Sequence, residues 1–171
     1  DDWIKIYKDL NRWDFTLDSI NDPTLLHTHF LEKMNCNAEF SNFVADNYKN
    51  WLSSDERPQL SFDVVSDYVI PKLNNKAPVY LIVLDCMRLD QYRAIEPYLK
   101  ELFDVDLNMY YSILPTATPY SRNSIFSGLL PSDIAKNFPD YWVSSSEIDN
   151  SRNRNEHQLL DAHISDLGCN I

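Results

Sequence analysis

Val79-Tyr80-Leu81-Ile82-Val83-Leu84-Asp85 is the longest unbroken apolar run in the chain, six residues that end on a carboxylate. It is short, rich in β-branched side chains and preceded by Pro78, which predicts a strand buried on both faces. Downstream, Arg88 to Leu102 places Tyr92, Ile95, Leu99 and Leu102 at helical spacing, and Pro97 is expected to split that helix in two. Phe103, Val105, Leu107, Met109, Tyr111 and Ile113 then alternate with Asp104, Asp106 and Asn108, the period-two pattern of a strand with one wetter face. Strand, helix and strand in that order predict a parallel pair joined by a right-handed crossover.

Residues 1–75 read differently, as helices. Trp3, Ile6, Tyr7, Leu10, Trp13 and Leu17 recur at helical spacing and form one apolar stripe. Asp22-Pro23 is an N-cap and first-turn pair, followed by Leu25, Leu26, His29, Phe30 and Met34. Asn37 is read as the cap of a third helix carrying Phe40, Phe43, Val44, Tyr48, Trp51 and Leu52. Ser61 opens another helix with Val64, Val65, Tyr68 and Val69 inward, which Pro71 should kink or end. The expected fold is therefore α/β: a helical bundle over residues 1–75, then the first half of a parallel-sheet domain over residues 76–171.

Past the second strand, Thr118 is placed to cap a helix, Pro119 to start it and Gly128 to stop it in the left-handed conformation. Residues 137–155 are polar, with Ser144-Ser145-Ser146, and read as a long surface loop. Asn155 to Gly168 reads as a last amphipathic helix using Leu159, Leu160, Ile164 and Leu167.

Composition narrows the function classes. Twenty-six acidic against fifteen basic side chains give a net charge of −11, which speaks against passive coating of nucleic acid or an anionic membrane, so no direct DNA binding is expected. The six-residue run is far below the ~20 residues needed to span a bilayer. Two glycines, Gly128 and Gly168, are too few to build a glycine-rich phosphate loop. Cys36, Cys86 and Cys169 are odd in number and scattered, which reads as reduced thiols in a cytoplasmic protein. The chain opens on Asp1 and ends at Ile171, and is read as a fragment of a longer protein.

Chemistry is expected at two places. Asp85 stands at the carboxyl end of a predicted strand, where open α/β sheets gather ligands, and its carboxylate suits a cation; alternatively it caps the next helix or marks the exit into water. The Thr118 hydroxyl meets free N–H groups and the positive end of a helix dipole, which favour an anion; the competing reading is ordinary capping. Thr116, Ser121 and Ser124 are hydroxyls with weaker positions. His157, Asp161, His163 and Asp166 are read as a solvated face with an ion pair ahead of a metal-ligand set, and His29 as a half-buried neighbour of Phe30.

Taken together, V-Y-L-I-V-L-D-C-M-R at 79–88 and P-T-A-T-P-Y-S-R-N-S-I-F-S-G-L-L-P at 115–131 resemble the PglZ branch of the alkaline-phosphatase superfamily. The helical region ahead of them is similar to the arrangement in PorX-type response regulators, here without a receiver domain. The resemblance implies that Asp85 is a metal ligand and that Thr118 is both nucleophile and metal ligand in a site holding two zinc ions. It gives Arg88 and Asp90 supporting or structural places. It further implies phosphodiesterase-like chemistry in a regulator partnered by a sensor histidine kinase, a sigma factor and a second copy. Backbone N–H groups after Thr118 are expected to hold phosphate oxygens. The family's further Asp and His ligands are not found after Pro131, so the 171-residue piece is expected to be catalytically silent alone. The alternative reading is an interaction module without turnover, docking partners through Trp3, Trp13, Trp51 and Trp142.

Overall fold

The computed structural model describes residues 2–17, 19–20, 22–73, 77–142 and 152–169. It contains α1 (Asp2–Leu17), α2 (Pro23–Trp51), α3 (Ile70–Leu73), α4 (Leu89–Lys100), α5 (Thr118–Ser127), α6 (Pro131–Asn137) and α7 (Glu156–Asp166). A 3₁₀ turn at Ser61–Asp63 and a π-helical turn at Val65–Val69 precede α3. These elements divide between two compact units, Asp1–Arg57 with Cys86–Met109 and Pro58–Asp85 with Tyr110–Ile171.

The expected parallel sheet is not found: among the described residues there is no β-strand, and the regular elements are all helical. The apolar run runs as irregular chain in water, with Tyr80 83% and Ile82 76% exposed. The second predicted strand makes one isolated parallel bridge at its end, Leu60 to Tyr111, where the Tyr111 N–H donates to the Gln59 carbonyl at 2.9 Å. The Ile113 N–H next along donates to Ser61 Oγ at 3.0 Å. A strand's polar backbone needs a neighbour to bond with; among the described residues the first run forms no bridge and the second only the one at Tyr111.

In the first unit, α1 packs on α2 and on α4. The Asp22 carboxylate accepts from the N–H groups of Thr24 (2.8 Å) and Leu25 (3.2 Å), with Pro23 in the first turn, as the sequence predicts. From there α2 runs unbroken for 29 residues, so Asn37 starts no new helix. No proline or glycine follows Pro23 within it, and nothing in the sequence interrupts the hydrogen-bond ladder. Trp3 sits 5.4 Å from Phe40 and 5.9 Å from Phe43, and Phe43 lies 5.5 Å from Trp51, a chain of rings that joins the two helices. His29 and Lys33 of α2 both bond the Asp14 carboxylate of α1, at 2.8 Å and 2.8–2.9 Å. Pro97 lies inside α4 without splitting it.

In the second unit, α5 packs against α7, the 3₁₀ turn and α6. Val65, Val69 and Ile125 form the centre of its core, with Val64, Ile70, Leu73, Val79 and Leu160 against them. The helix opened near Ser61 does not end at Pro71; it widens to π-helical register just before it, with the Ile70 N–H reaching the Val65 carbonyl. Proline has no N–H for the next bond of an α-ladder, and the wider turn lies where that bond is lost. Helix α6 was not anticipated; Leu130 is its N-cap and Pro131 its first residue. Of the polar stretch 137–155, residues 143–151 lie outside the described residues.

Candidate functional site

Helix α5 positions the first candidate. Ala117 is its N-cap, one residue earlier than the sequence suggests, and Thr118 is the first helical residue, half-buried. Among the described residues no hydrogen bond engages the Thr118 hydroxyl, so it is not spent on capping. The N–H groups expected to hold an anion are otherwise committed. Pro119 has none, and those of Tyr120 and Ser121 both donate to the Ala117 carbonyl, at 2.9 and 3.0 Å. The helix ends as predicted, on Gly128 in the left-handed region at φ 68°.

Asp85 closes the exposed apolar run and is followed by Cys86, whose φ of 59° turns the chain. Its carboxylate accepts from the Arg122 guanidinium at 3.1 Å. Arg122 is one helical turn beyond Thr118, on the same face of α5. The guanidinium also donates to Glu156 at 2.5 Å. Burial works against the Arg122 charge, but its bonds to Glu156 and Asp85 outweigh that and hold its pKa above the ordinary value.

Asparagines extend the cluster. Asn153 Nδ2 donates to Glu156 Oε1 at 2.7 Å, to the Thr118 carbonyl at 3.3 Å and to Asn123 Oδ1 at 3.3 Å. Asn123 Nδ2 in turn donates to the carbonyls of Pro119 (2.9 Å) and Arg152 (3.1 Å). Arg122, Asn153 and Glu156 were not singled out from the sequence. The Thr118–Arg122 spacing was the available signal; nothing local marks Asn153 or Glu156.

The family model described as the BREX system PglZ alkaline phosphatase-like domain matches residues 64–170. The chain belongs to the PglZ family. The family model of the PorX response regulator linker domain matches residues 1–52 ahead of it. No curated protein matches the chain. A PorX linker followed by a PglZ domain fits a PorX-type regulator with an alkaline-phosphatase-like effector, and the PglZ match points to metal dependence in general.

The residues in place do not by themselves make a metal site: the part-exposed Asp85 carboxylate is bonded to Arg122, and Thr118 adds a single hydroxyl. Among the described residues no group of three or more His, Cys, Asp or Glu side chains converges. The remaining candidates fall elsewhere. Arg88 and Asp90 belong to the other unit and bond each other through both carboxylate oxygens, at 2.9 and 2.6 Å; the shared hydrogen bond holds Asp90 below the ordinary carboxylate range. Ser121 Oγ donates to the Thr116 carbonyl at 3.1 Å, and Ser124 is fully buried. His157 and Asp161 form the expected exposed pair at 3.0 Å.

His163 is not on that solvated face. It is buried, and its ring lies so close to Gly128 that a Cβ there would come within 2.3 Å of Nε2. Nδ1 faces the Phe126 carbonyl at 3.1 Å, which must accept, so Nδ1 carries the proton and Nε2 accepts from Ser66 Oγ at 3.2 Å. Burial pushes its pKa down, against the Phe126 bond and the nearby Asp166 charge. The ring fastens α7 to the C-terminal end of α5. Among the described residues no helix is long and apolar enough to cross a membrane.

Proposed function

We propose that this chain carries the linker region (1–75) and the first part (76–171) of the effector domain of a PorX-type regulator whose PglZ domain is a zinc-dependent, phosphodiesterase-like site. Asp85 is the metal-binding carboxylate and Thr118 the nucleophile and second metal-binding group. The observation that supports this is the bond from Asp85 to Arg122, four residues beyond Thr118 on α5, together with a Thr118 hydroxyl that makes no hydrogen bond among the described residues. When bound, zinc supplies positive charge that stabilises a phosphate diester's developing negative charge and favours loss of a hydroxyl proton. Thr118 Oγ attacks phosphorus in line, the Oγ–P bond forming as the P–O bond to the leaving group breaks, and the hydroxyl proton passes through solvent to the departing oxygen, which leaves as the alcohol. The test is zinc titration and turnover of bis(p-nitrophenyl) phosphate by the full-length protein. Thr118→Ala should abolish turnover and Asp85→Ala should weaken zinc binding at least tenfold; wild-type behaviour in both variants overturns the reading.

A second reading, a docking module without turnover, is favoured by exposed apolar side chains of α1 and α2, among them Trp13 (56% exposed), Phe30 and Met34. Its proposed partners are a sensor kinase, a sigma factor or a second copy. Of the four tryptophans expected to dock partners, Trp51 is buried at 6% exposure, and Trp3 and Trp142 are half-buried. Partner binding that survives both Asp85→Ala and chelation of metal, together with no turnover in the wild type, would favour this module.

A further inference from the structure

We infer that residues 79–84 are an interaction surface for a second copy of this chain, which pairs with them as an antiparallel strand centred on Ile82. The inference rests on neither functional reading above. Exposure along the run alternates: Tyr80, Ile82 and Leu84 are 83%, 76% and 61% exposed, against 36% for Leu81 and 37% for Val83. Val79 packs on the core of its unit. A period of two marks an extended chain with one face turned outward. Among the described residues no hydrogen bond engages residues 79–84, so the N–H and C=O groups of this extended segment are open to a strand from outside.

Charge and symmetry select the occupant. Between Pro78 and Asp85 the segment has no charge, no proline and no glycine, a composition that pairs with copies of itself. Asp85, the one charged side chain that closes it, is bonded to Arg122, so no cationic peptide is called for. Turned antiparallel about Ile82, a two-fold pair sets Tyr80 opposite Leu84 and Leu81 opposite Val83, with Ile82 against its own copy. Outward side chains then meet outward ones. The two Asp85 carboxylates lie at opposite ends of that pair, whereas a parallel in-register pair would set them side by side. Six residues make a small contact and each copy carries a net charge of −11, so the association is weak and the dilute chain stays monomeric.

The experiment uses the whole chain, residues 1–171, in analytical ultracentrifugation from about 10 µM to about 1 mM, with backbone hydrogen exchange read by mass spectrometry. The mass should rise towards twice that of the monomer, and exchange at residues 79–84 should slow as it does. Association should be tighter in about 0.5 M than in about 0.05 M salt, because screening relieves the repulsion between copies. Ile82→Lys sets like charges opposite each other and should weaken the dimer about tenfold, with helix content unchanged. Should that variant fail to fold, Tyr80→Glu, on the same outward face, decides. A monomer at every concentration, a dimer undiminished in the folded variants, or a dimer weakened by salt overturns the inference. So does a dimer in which residues 79–84 exchange freely, or growth into thioflavin-binding fibres in place of a closed pair.

Discussion

Residues 118–128 and residues 79–84 carry equally explicit sequence signals, and only the first stretch becomes the element it announces. Helix α5 has a proline in its first turn and a left-handed glycine at its end. Between them its backbone bonds are made within ten residues. The apolar run has the right composition for a buried strand but stands exposed, because every N–H and C=O of a strand needs a partner from elsewhere in the chain. The signals for a helix are local and complete; those for a strand describe only half of the object.

The largest effect is expected where α5 ends. Gly128 has a positive φ and no room for a side chain, with the His163 ring in the way. Gly128→Ala combines the left-handed penalty of a non-glycine residue with overpacking, and should destabilise the chain by about 3 kcal/mol in urea denaturation. A loss under about 0.5 kcal/mol would show that α5 is not pinned by this contact and that its end is as loosely held as the apolar run.

The same local-against-distant division decides what was legible. Asp22-Pro23, Gly128 and most of the α7 stripe, Leu159, Leu160 and Ile164, were readable because caps and periodicity act within a few residues, whereas Leu167, expected in that stripe, is the C-cap and stands 47% exposed. Thr118 was placed one residue off, since Ala117 takes the cap position with no side-chain bond. The break expected at Asn37 failed because asparagine permits a helix start without imposing one. At the candidate site, Asp85 and Thr118 were legible as types in positions, whereas the Arg122 bond to Asp85 spans 37 residues and that to Glu156 spans 34. Periodicity carries no trace of such pairings. The buried role of His163 was hidden likewise, as its partners Phe126 and Ser66 lie 37 and 97 residues away.

Smaller perturbations of the His163 contact sharpen the comparison further. Ser66→Ala removes the donor to Nε2 and leaves a buried acceptor unmet, an expected loss of about 1 kcal/mol. Acid acts on the ring itself. Its folded-state pKa lies below the unfolded value because burial disfavours the charged form, so the unfolded chain binds the proton more readily. Its contribution is therefore whole above the ordinary histidine range and is lost as pH falls through that range towards the folded-state value. Denaturation midpoints measured from pH 8 down to pH 5 should fall, and fall less in His163→Gln. Equal slopes for the two proteins would show that the ring is solvated.

The smallest effect is expected in the apolar run, where it matters most to the contrast. Ile82 is three-quarters exposed, so Ile82→Ser removes little buried surface and should change stability by less than about 0.5 kcal/mol. A strand buried on both faces would respond otherwise: truncating a buried isoleucine costs about 2–5 kcal/mol, and the new hydroxyl would need a partner as well. The two outcomes are far enough apart for one denaturation curve to separate them. A large loss would mean that residues 79–84 find a neighbour in solution, and the difference between them and α5 would then lie in when each becomes ordered. A negligible loss ties the segment's conformation to its termini, Val79 in the helical core and Asp85 on Arg122, with the apolar side chains between them contributing little.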